Sequence, residues 1–279
     1  MWPVVGSIVL RHMTPRALVG LRVALAGPLL FLLTRPWRAK MPLRDVLRCA
    51  GLAVIGVGIN QVLFIEGLAR STPTNSAILG CLTPVFTAGI AVAMGHEKMA
   101  PRRWAGLGFA LAGGLFLVGV ERLQFGGTRG VGNAMFVANT VAYSAYLVLA
   151  RPLIARHGAL PVTGWVFAAA TPLLALYGAP ALQQTDWAVI PADAWYGIAY
   201  IVGVATVLAY LGVAWALAAL PASIVAIFVY VQPLVTGLAS NRVLGERPGW
   251  ATWVAAAAIL GGIGLVASRP GAARGSATA

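Results

Sequence analysis

The chain has 279 residues, 59% of them hydrophobic and only 10% charged, with a formal charge of +13. A soluble domain carries roughly 25% charged residues, so this composition cannot cover a globular surface with water-compatible side chains and excludes a soluble enzyme or binding module. The positive balance does not point to nucleic acid, because the basic residues fall in short clusters between apolar runs rather than in a stripe interleaved with aromatics.

No Asp, Glu, Lys or Arg occurs from Ala194 to Asn241, and shorter charge-free runs span Cys49–Ile65, Ser71–His96, Trp104–Val120, Gly130–Ala150, His157–Thr185 and Pro248–Ser268. A spanning helix needs roughly 20 mostly apolar residues, so an all-α polytopic membrane protein of about ten transmembrane helices is predicted. The first helix, 2–11, reads as incomplete, since about ten residues cannot cross a bilayer, and the native start is expected upstream of Met1. The second, 16–34, holds Arg22, the only basic residue well inside a predicted span, and Pro28. The third, 46–68, carries Asn60 and Gln61 at mid-helix and Glu66 near its end. The fourth, 74–94, contains Pro84. The fifth, 102–120, has Gly106, Ala110 and Gly114 at spacings of four.

The sixth helix, 130–150, carries Asn133, Asn139, Tyr143 and Tyr146, the last three at i, i+4 and i+7 and hence on one face. The seventh, 161–180, contains Pro172. The eighth, 195–218, carries Tyr200 and Tyr210. The long uncharged run must turn at Pro221 before the ninth, 221–242, which holds Tyr230, Gln232 and Pro233, because 48 helical residues would be about twice the bilayer thickness. The tenth, 249–267, has Ala258 and Gly262. Breakers such as Arg35-Pro36-Trp37, Ser71-Thr72-Pro73 and Gly126-Gly127-Thr128 mark the connections.

Sliding the chain by 149 residues pairs Leu68-Ala69 with Leu217-Ala218, Ala77-Ile78 with Ala226-Ile227, and Pro84, Thr87, Glu97, Trp104, Leu111 and Gly113 with Pro233, Thr236, Glu246, Trp253, Leu260 and Gly262. The rare Pro, Glu and Trp matches give this self-similarity its weight. Two five-helix repeats are predicted, at 1–120 and 128–268, followed by a short cytoplasmic tail at 269–279. Five is odd, so the second repeat inserts upside down relative to the first, an architecture that puts a substrate site near midplane at the repeat interface. With the N-terminus inside, the cytoplasmic side holds twelve Lys and Arg residues against seven outside, which favours cytoplasmic N- and C-termini in the cell membrane.

The stretch from Asn60-Gln61 through Glu66, Leu82-Thr83-Pro84 and Gly95-His96-Glu97-Lys98, repeated as Ala214 to Ser223, Gln232-Pro233 and Leu244-Gly245-Glu246-Arg247, resembles the drug/metabolite transporter superfamily, EamA type. The resemblance covers nearly the whole chain. It implies a ten-helix inverted-repeat fold and a transport role, commonly export of amino acids or other metabolites, without fixing a substrate. The short first helix departs from that pattern.

A charged group at bilayer depth is costly and often functional. Glu66 is therefore a candidate amine or proton site and Arg22 a candidate carboxylate anchor; the plainer reading makes them a structural pair, or places Glu66 at the interface within one turn of Arg70. Asn60, Gln61, Asn139, Tyr143, Tyr210 and Gln232 are the candidate cavity lining, with interhelical hydrogen bonding as the bland alternative. Glu97 and Glu246 read as solvated or helix-capping loop residues. The small-residue rows on helices five and ten are expected to pack within the chain, with a homodimer as the alternative. His12, His96 and His157 lie at helix ends away from clustered acids, Cys49 and Cys81 lack partners in sequence, and Gly126 to Gly132 lacks the P-loop lysine. No metal, cofactor or catalytic site is expected.

The expectation is thus a secondary transporter of amino-acid or amine-like metabolites, exporting by alternating access, its partners a small-molecule substrate and the bilayer. A lipid-linked or nucleotide-sugar carrier, or a non-transporting scaffold or sensor, is the alternative.

Overall fold

A computed structural model describes residues 2–119, 127–232 and 250–267, and among them there are helices and turns but no strands. In chain order the helices are α1 (Trp2–Val9), α2 (Pro15–Thr34), α3 (Leu43–Ala53), α4 (Asn60–Arg70), α5 (Pro73–Gly80), α6 (Thr83–Ala93), α7 (Pro101–Val118), α8 (Gly127–His157), α9 (Ala159–Gln183), α10 (Ala192–Val202), α11 (Ala209–Ala219), α12 (Ala222–Ile227) and α13 (Trp250–Ala267). A π-helical turn at Val54–Ile59 joins α3 to α4 in one rod, and another at Gly203–Leu208 joins α10 to α11. Among the described residues six rods are long and apolar enough to cross a membrane: Pro15–Arg38, Leu43–Arg70, Pro73–Ala93, Gly127–His157, Ala159–Gln183 and Ala192–Ala219. Pro233, Thr236, Glu246, Arg247 and the tail 269–279 lie outside the described residues.

Local chemistry sets the ends of these rods. Thr14 and Thr72 occupy N-cap positions, each followed by a proline whose missing N–H costs nothing at a helix start; their hydroxyls accept from Ala17 N at 3.3 Å and Asn75 N at 3.1 Å. Arg35 closes α2 in the left-handed conformation at φ 46°, and its N–H donates to Phe31 O. The rods run past the apolar stretches that predict them. α8 continues through Arg151 to His157, with the Arg156 cation in its last turn, suited to the negative C-terminal end of a helix.

Shifted by 149 residues, α3 falls on α10, the first π-turn on the second, α4 on α11, and α7 on α13, each with both ends in register; α2 and α9 end in the same register. The shift found in the side chains is therefore also a shift of helix boundaries. Corresponding helices pack antiparallel. Along α2 and α9, Gly20 meets Gly178, Gly27 meets Thr171, and Gly164 meets Thr34. Along α7 and α13, Gly106 meets Gly262 and Gly113 meets Ala255 and Ala258. A Cβ on Gly178 would lie 2.5 Å from the Gly20 Cα, and one on Gly262 2.5 Å from the Gly106 carbonyl oxygen. Glycine at these crossings is what lets the backbones touch. Gly106 and Ala110 of the α7 row thus face Gly262 of α13 within one chain, while Gly114 faces Cys81 and Tyr230.

Connectivity and these crossings fix two ends of the bundle. One, here the first end, gathers Arg16, Arg70 and the starts of α5, α8 and α10; the other gathers Thr34, Asp45, Glu97, His157 and the start of α12. Large apolar side chains such as Leu32, Phe109, Leu176, Leu208 and Trp215 are exposed around the bundle, as hydrocarbon rather than water as solvent would allow. Trp187 stacks on Trp195 at the first end, with ring centroids 5.9 Å apart, and Trp37 packs on Phe31 at the second at 4.9 Å. Aromatic rings favour the two interfaces of a bilayer.

Candidate functional site

The two π-turns create the centre of the molecule. An α-helical amide bonds to the carbonyl four residues back, but the Asn60 N–H bonds to Ile55 and Val57 and passes over Gly56, while the Ala209 N–H bonds to Val204 and Thr206 and passes over Ala205. A buried carbonyl freed in this way must find another donor, the more so in a bilayer. Gly56 O accepts from the Tyr210 hydroxyl at 2.8 Å. Ala205 O accepts from Arg22 Nη2 at 3.0 Å. Gly56 and Ala205 are equivalent under the 149-residue shift, and so are Gln61 and Tyr210, whose side chains meet with Gln61 Nε2 donating to the Tyr210 hydroxyl at 3.2 Å.

Arg22, buried at 3% exposure, organises this network. Its Nε donates to Thr206 Oγ1 at 2.6 Å, its Nη1 to Gln61 Oε1, and its guanidinium lies 4.7 Å from the ring centroid of Trp2. Every hydrogen-bond acceptor it has is neutral. Among the described residues no carboxylate pairs with it. A buried charge costs several kcal/mol unless its hydrogen-bonding capacity is met, and the fork of five N–H donors is here largely met by two side-chain oxygens and a carbonyl. Beside it, Tyr210 is wedged by Phe167 and Tyr146 with centroids at 4.8 and 6.1 Å, and Tyr143 stacks on Tyr146 at 6.2 Å. Tyr146 fits because Gly56 has no side chain; a Cβ there would lie 2.1 Å from its ring. Asn139 Nδ2 reaches across from α8 to the Asn60 carbonyl at 2.7 Å.

Of the sequence candidates, Arg22, Gln61 and Tyr210 thus form one network, with Tyr143 and Asn139 on the adjoining face of α8. Asn60 takes part through its backbone. Gln232 is exposed and makes none of these contacts. Glu66 and Arg22 are not a pair: Glu66 bonds Arg70 one turn away and accepts from the Tyr177 hydroxyl at 3.2 Å, with Arg16 lying 4.7 Å from the Tyr177 ring centroid. The i, i+4 spacing lets Glu66 close on Arg70 within its own helix, whereas Arg22 leaves α2 toward the π-turns. Thr206, Trp2 and the two π-turn carbonyls escaped the sequence reading. Thr206 is a single hydroxyl in a long apolar run, and the nearest sign of the turns is the Gly56-x-Gly58 step in α3–α4.

Both ends are tied between the sequence halves. At the first end Ser71 Oγ and Asn75 Nδ2 donate to Asn133 Oδ1 at 2.7 and 3.0 Å, alongside the Glu66–Tyr177 contact. At the second, Asp45 Oδ2 meets His157 Nε2 at 2.8 Å and Arg48 at 2.7 Å through its other oxygen, and the Glu97 carboxylate accepts from Ser223 N at 3.2 Å and from its hydroxyl. Glu97 therefore caps the start of α12. A cavity of about 240 Å³ opens at the first end beside His12, Thr14 and Asp186, and one of about 200 Å³ at the second beside His96, Glu97 and Arg151. Neither is lined by Arg22, Gln61 or Tyr210. The network is occluded.

Comparison with known proteins decides what this architecture belongs to. The model of the EamA-like transporter family matches residues 1–119 and again 130–268. The chain belongs to the EamA-like transporter family. It is 24% identical over 266 residues, 94% of this chain and 91% of the relative, to an "Uncharacterized transporter" of Archaeoglobus fulgidus. It is 27% identical over 232 residues to the "Uncharacterized transporter YdeK" of Bacillus subtilis, covering 81% of this chain and 77% of that one. A solved crystal structure of 18% identity superposes with a TM-score of 0.71, covering 95% of this chain and 94% of its own, and shares the fold. This EamA-like chain is a multi-pass membrane protein with a transporter's role, its environment lipid and its cargo a small molecule.

Proposed function

We propose that the protein is a secondary transporter of small metabolites of the amino-acid type, exporting across the cell membrane by alternating access between two inverted five-helix repeats, 1–120 and 128–268. The observation that carries this reading is the Arg22–Gln61–Tyr210 network, in which residues equivalent under the 149-residue shift meet at an occluded centre. Antiparallel packing of α2 on α9 and of α7 on α13 is what an inverted repeat requires. The described second end carries ten basic residues and the first end four, which supports a cytoplasmic second end.

The two sets of end contacts supply the gates. An interhelical hydrogen bond in a membrane protein is worth about 0.6 kcal/mol on average, up to about 1–2. Releasing one end therefore costs only a few kcal/mol, small enough for thermal opening, while the other end holds. Opening the first end separates Glu66 from Tyr177 and Asn133 from Ser71 and Asn75; opening the second separates Asp45 from His157 and Glu97 from Ser223. No nucleotide-binding motif is present in the sequence, so the driving force in this reading is a solute or ion gradient.

The test is counterflow in proteoliposomes loaded with a mixture of amino acids, organic acids and small amines, read by mass spectrometry against protein-free vesicles. Protein-dependent exchange of a compound class is the expected result. Absence of exchange over the whole panel by folded protein would overturn the proposal.

A further inference from the structure

We infer that the transported molecule is recognised by a single carboxylate, which binds Arg22 in exchange for its present neutral partners, and that an ammonium group is not required. This rests on the transport reading above and narrows its substrate class.

The argument begins with charge. Among the described residues Arg22 is the only buried base, and the only buried acid, Asp45, is held by His157 and Arg48 at the second end. The other acid on the rod that supplies Gln61, Glu66, is engaged by Arg70 and Tyr177. Among the described residues the centre therefore carries one positive charge with no acid beside it, and no carboxylate to receive an amine. The guanidinium fork matches a planar carboxylate through two parallel bonds, and such a pair adds an attraction between opposite charges that a neutral amide or hydroxyl does not supply. A carboxylate is consequently a better partner for Arg22 than the Gln61 amide and Thr206 hydroxyl it now holds. A dianionic phosphate would bring two charges to a site with one cation, so a monoanion is the better match.

Displacement has a route outward. Arg22 Nη1 donates to Gln61 Oε1, Gln61 Nε2 to the Tyr210 hydroxyl, and that hydroxyl to the π-turn carbonyl of Gly56. A carboxylate that takes Arg22 from Gln61 and Ala205 loosens contacts to both π-turns in one event. Binding the charge thus loosens the two rods that must rearrange for the site to open. The apolar part of the substrate would lie against Tyr143, Tyr146 and Phe167.

The experiment uses the full chain in proteoliposomes and matched triplets: leucine and phenylalanine, the monocarboxylic acid each becomes without its amino group, and the monoamine each becomes without its carboxyl. Fructose 6-phosphate serves as the phosphate arm. Exchange of the monocarboxylic acids at rates comparable to the amino acids, with no exchange of the monoamines or the phosphate ester, is expected. In Arg22→Gln carboxylate exchange falls by about ten-fold or more, while Arg22→Lys, which keeps the charge but not the fork, falls less. Exchange of amines, or of amino acids but none of the deaminated acids, overturns the inference and leaves transport standing; exchange of the phosphate ester alone does the same. Absence of any exchange overturns the transport reading itself. Should the Arg22 variants fail to fold, judged by gel filtration, the wild-type triplets alone decide the matter.

Discussion

Tyr210 and Glu66 are both polar residues in apolar helices, and their surroundings give them different work. Tyr210 receives the Gln61 amide and donates to the freed Gly56 carbonyl, so Tyr210→Phe leaves a buried acceptor and a buried donor without partners. Lost interhelical bonds of this kind cost about 0.6–2 kcal/mol in membrane proteins. The variant is expected to unfold at a lower temperature in detergent and to transport more slowly; an unchanged unfolding temperature with unchanged exchange would remove Tyr210 from the network. Glu66, held by Arg70 and Tyr177 near the first end, is placed to act on opening. Glu66→Gln is expected to lower the maximal exchange rate while leaving the half-saturating substrate concentration within about two-fold, since uniform binding is untouched. A large rise in that concentration would instead put Glu66 on the substrate. The sequence exposed Arg22, Gln61 and Tyr210 because polar residues stand out in apolar runs. It did not expose their partners, because a backbone carbonyl has no side-chain signature and Thr206 resembles any helical threonine.

The helical rods were far more legible, since a bilayer demands long apolar segments and the 149-residue shift doubles the signal. The interruptions at Val54–Ile59 and Gly203–Leu208 were not, because a π-turn needs no proline and here falls among Val, Ile, Gly, Ala, Thr and Leu residues that suit an α-helix equally well. Glycines differ sharply in what they do for the rods. Gly178→Ala places a methyl against the Gly20 backbone, which cannot rotate away as a side chain would, and overpacking of that kind costs about 1–3 kcal/mol. Gly89, inside α6, has nothing within 4 Å of its added Cβ, and there alanine gains helix propensity of about 0.5–1 kcal/mol. Gly178→Ala should therefore lower the unfolding temperature in detergent and Gly89→Ala leave it unchanged or raised. Equal effects would mean that α2 and α9 do not approach as closely as described.

Over the whole molecule, residues equivalent under the 149-residue shift differ in the polar groups they contribute although α3, α4 and α7 coincide with α10, α11 and α13. Gln61 faces Tyr210, Arg22 stands where the second half has Thr171, and Glu66 stands where it has the exposed Trp215. A shared scaffold with unequal side chains fits a carrier whose two ends face different solutions. The distribution of basic residues predicts a cytoplasmic second end, and labelling tests that orientation directly. Cys49 and Cys81 are both buried, so native background with a membrane-impermeant thiol reagent should be low. Single cysteines at exposed Thr128 and Gln184 report the first end, and one at exposed Lys40 reports the second. In intact cells Thr128→Cys and Gln184→Cys are expected to label from outside, with Lys40→Cys labelling only after the membrane is opened. The reverse pattern would turn the protein over and make the Asp45–His157 end the external gate. Labelling of both ends from outside would break the link between helix direction and membrane crossing on which the two-gate reading depends.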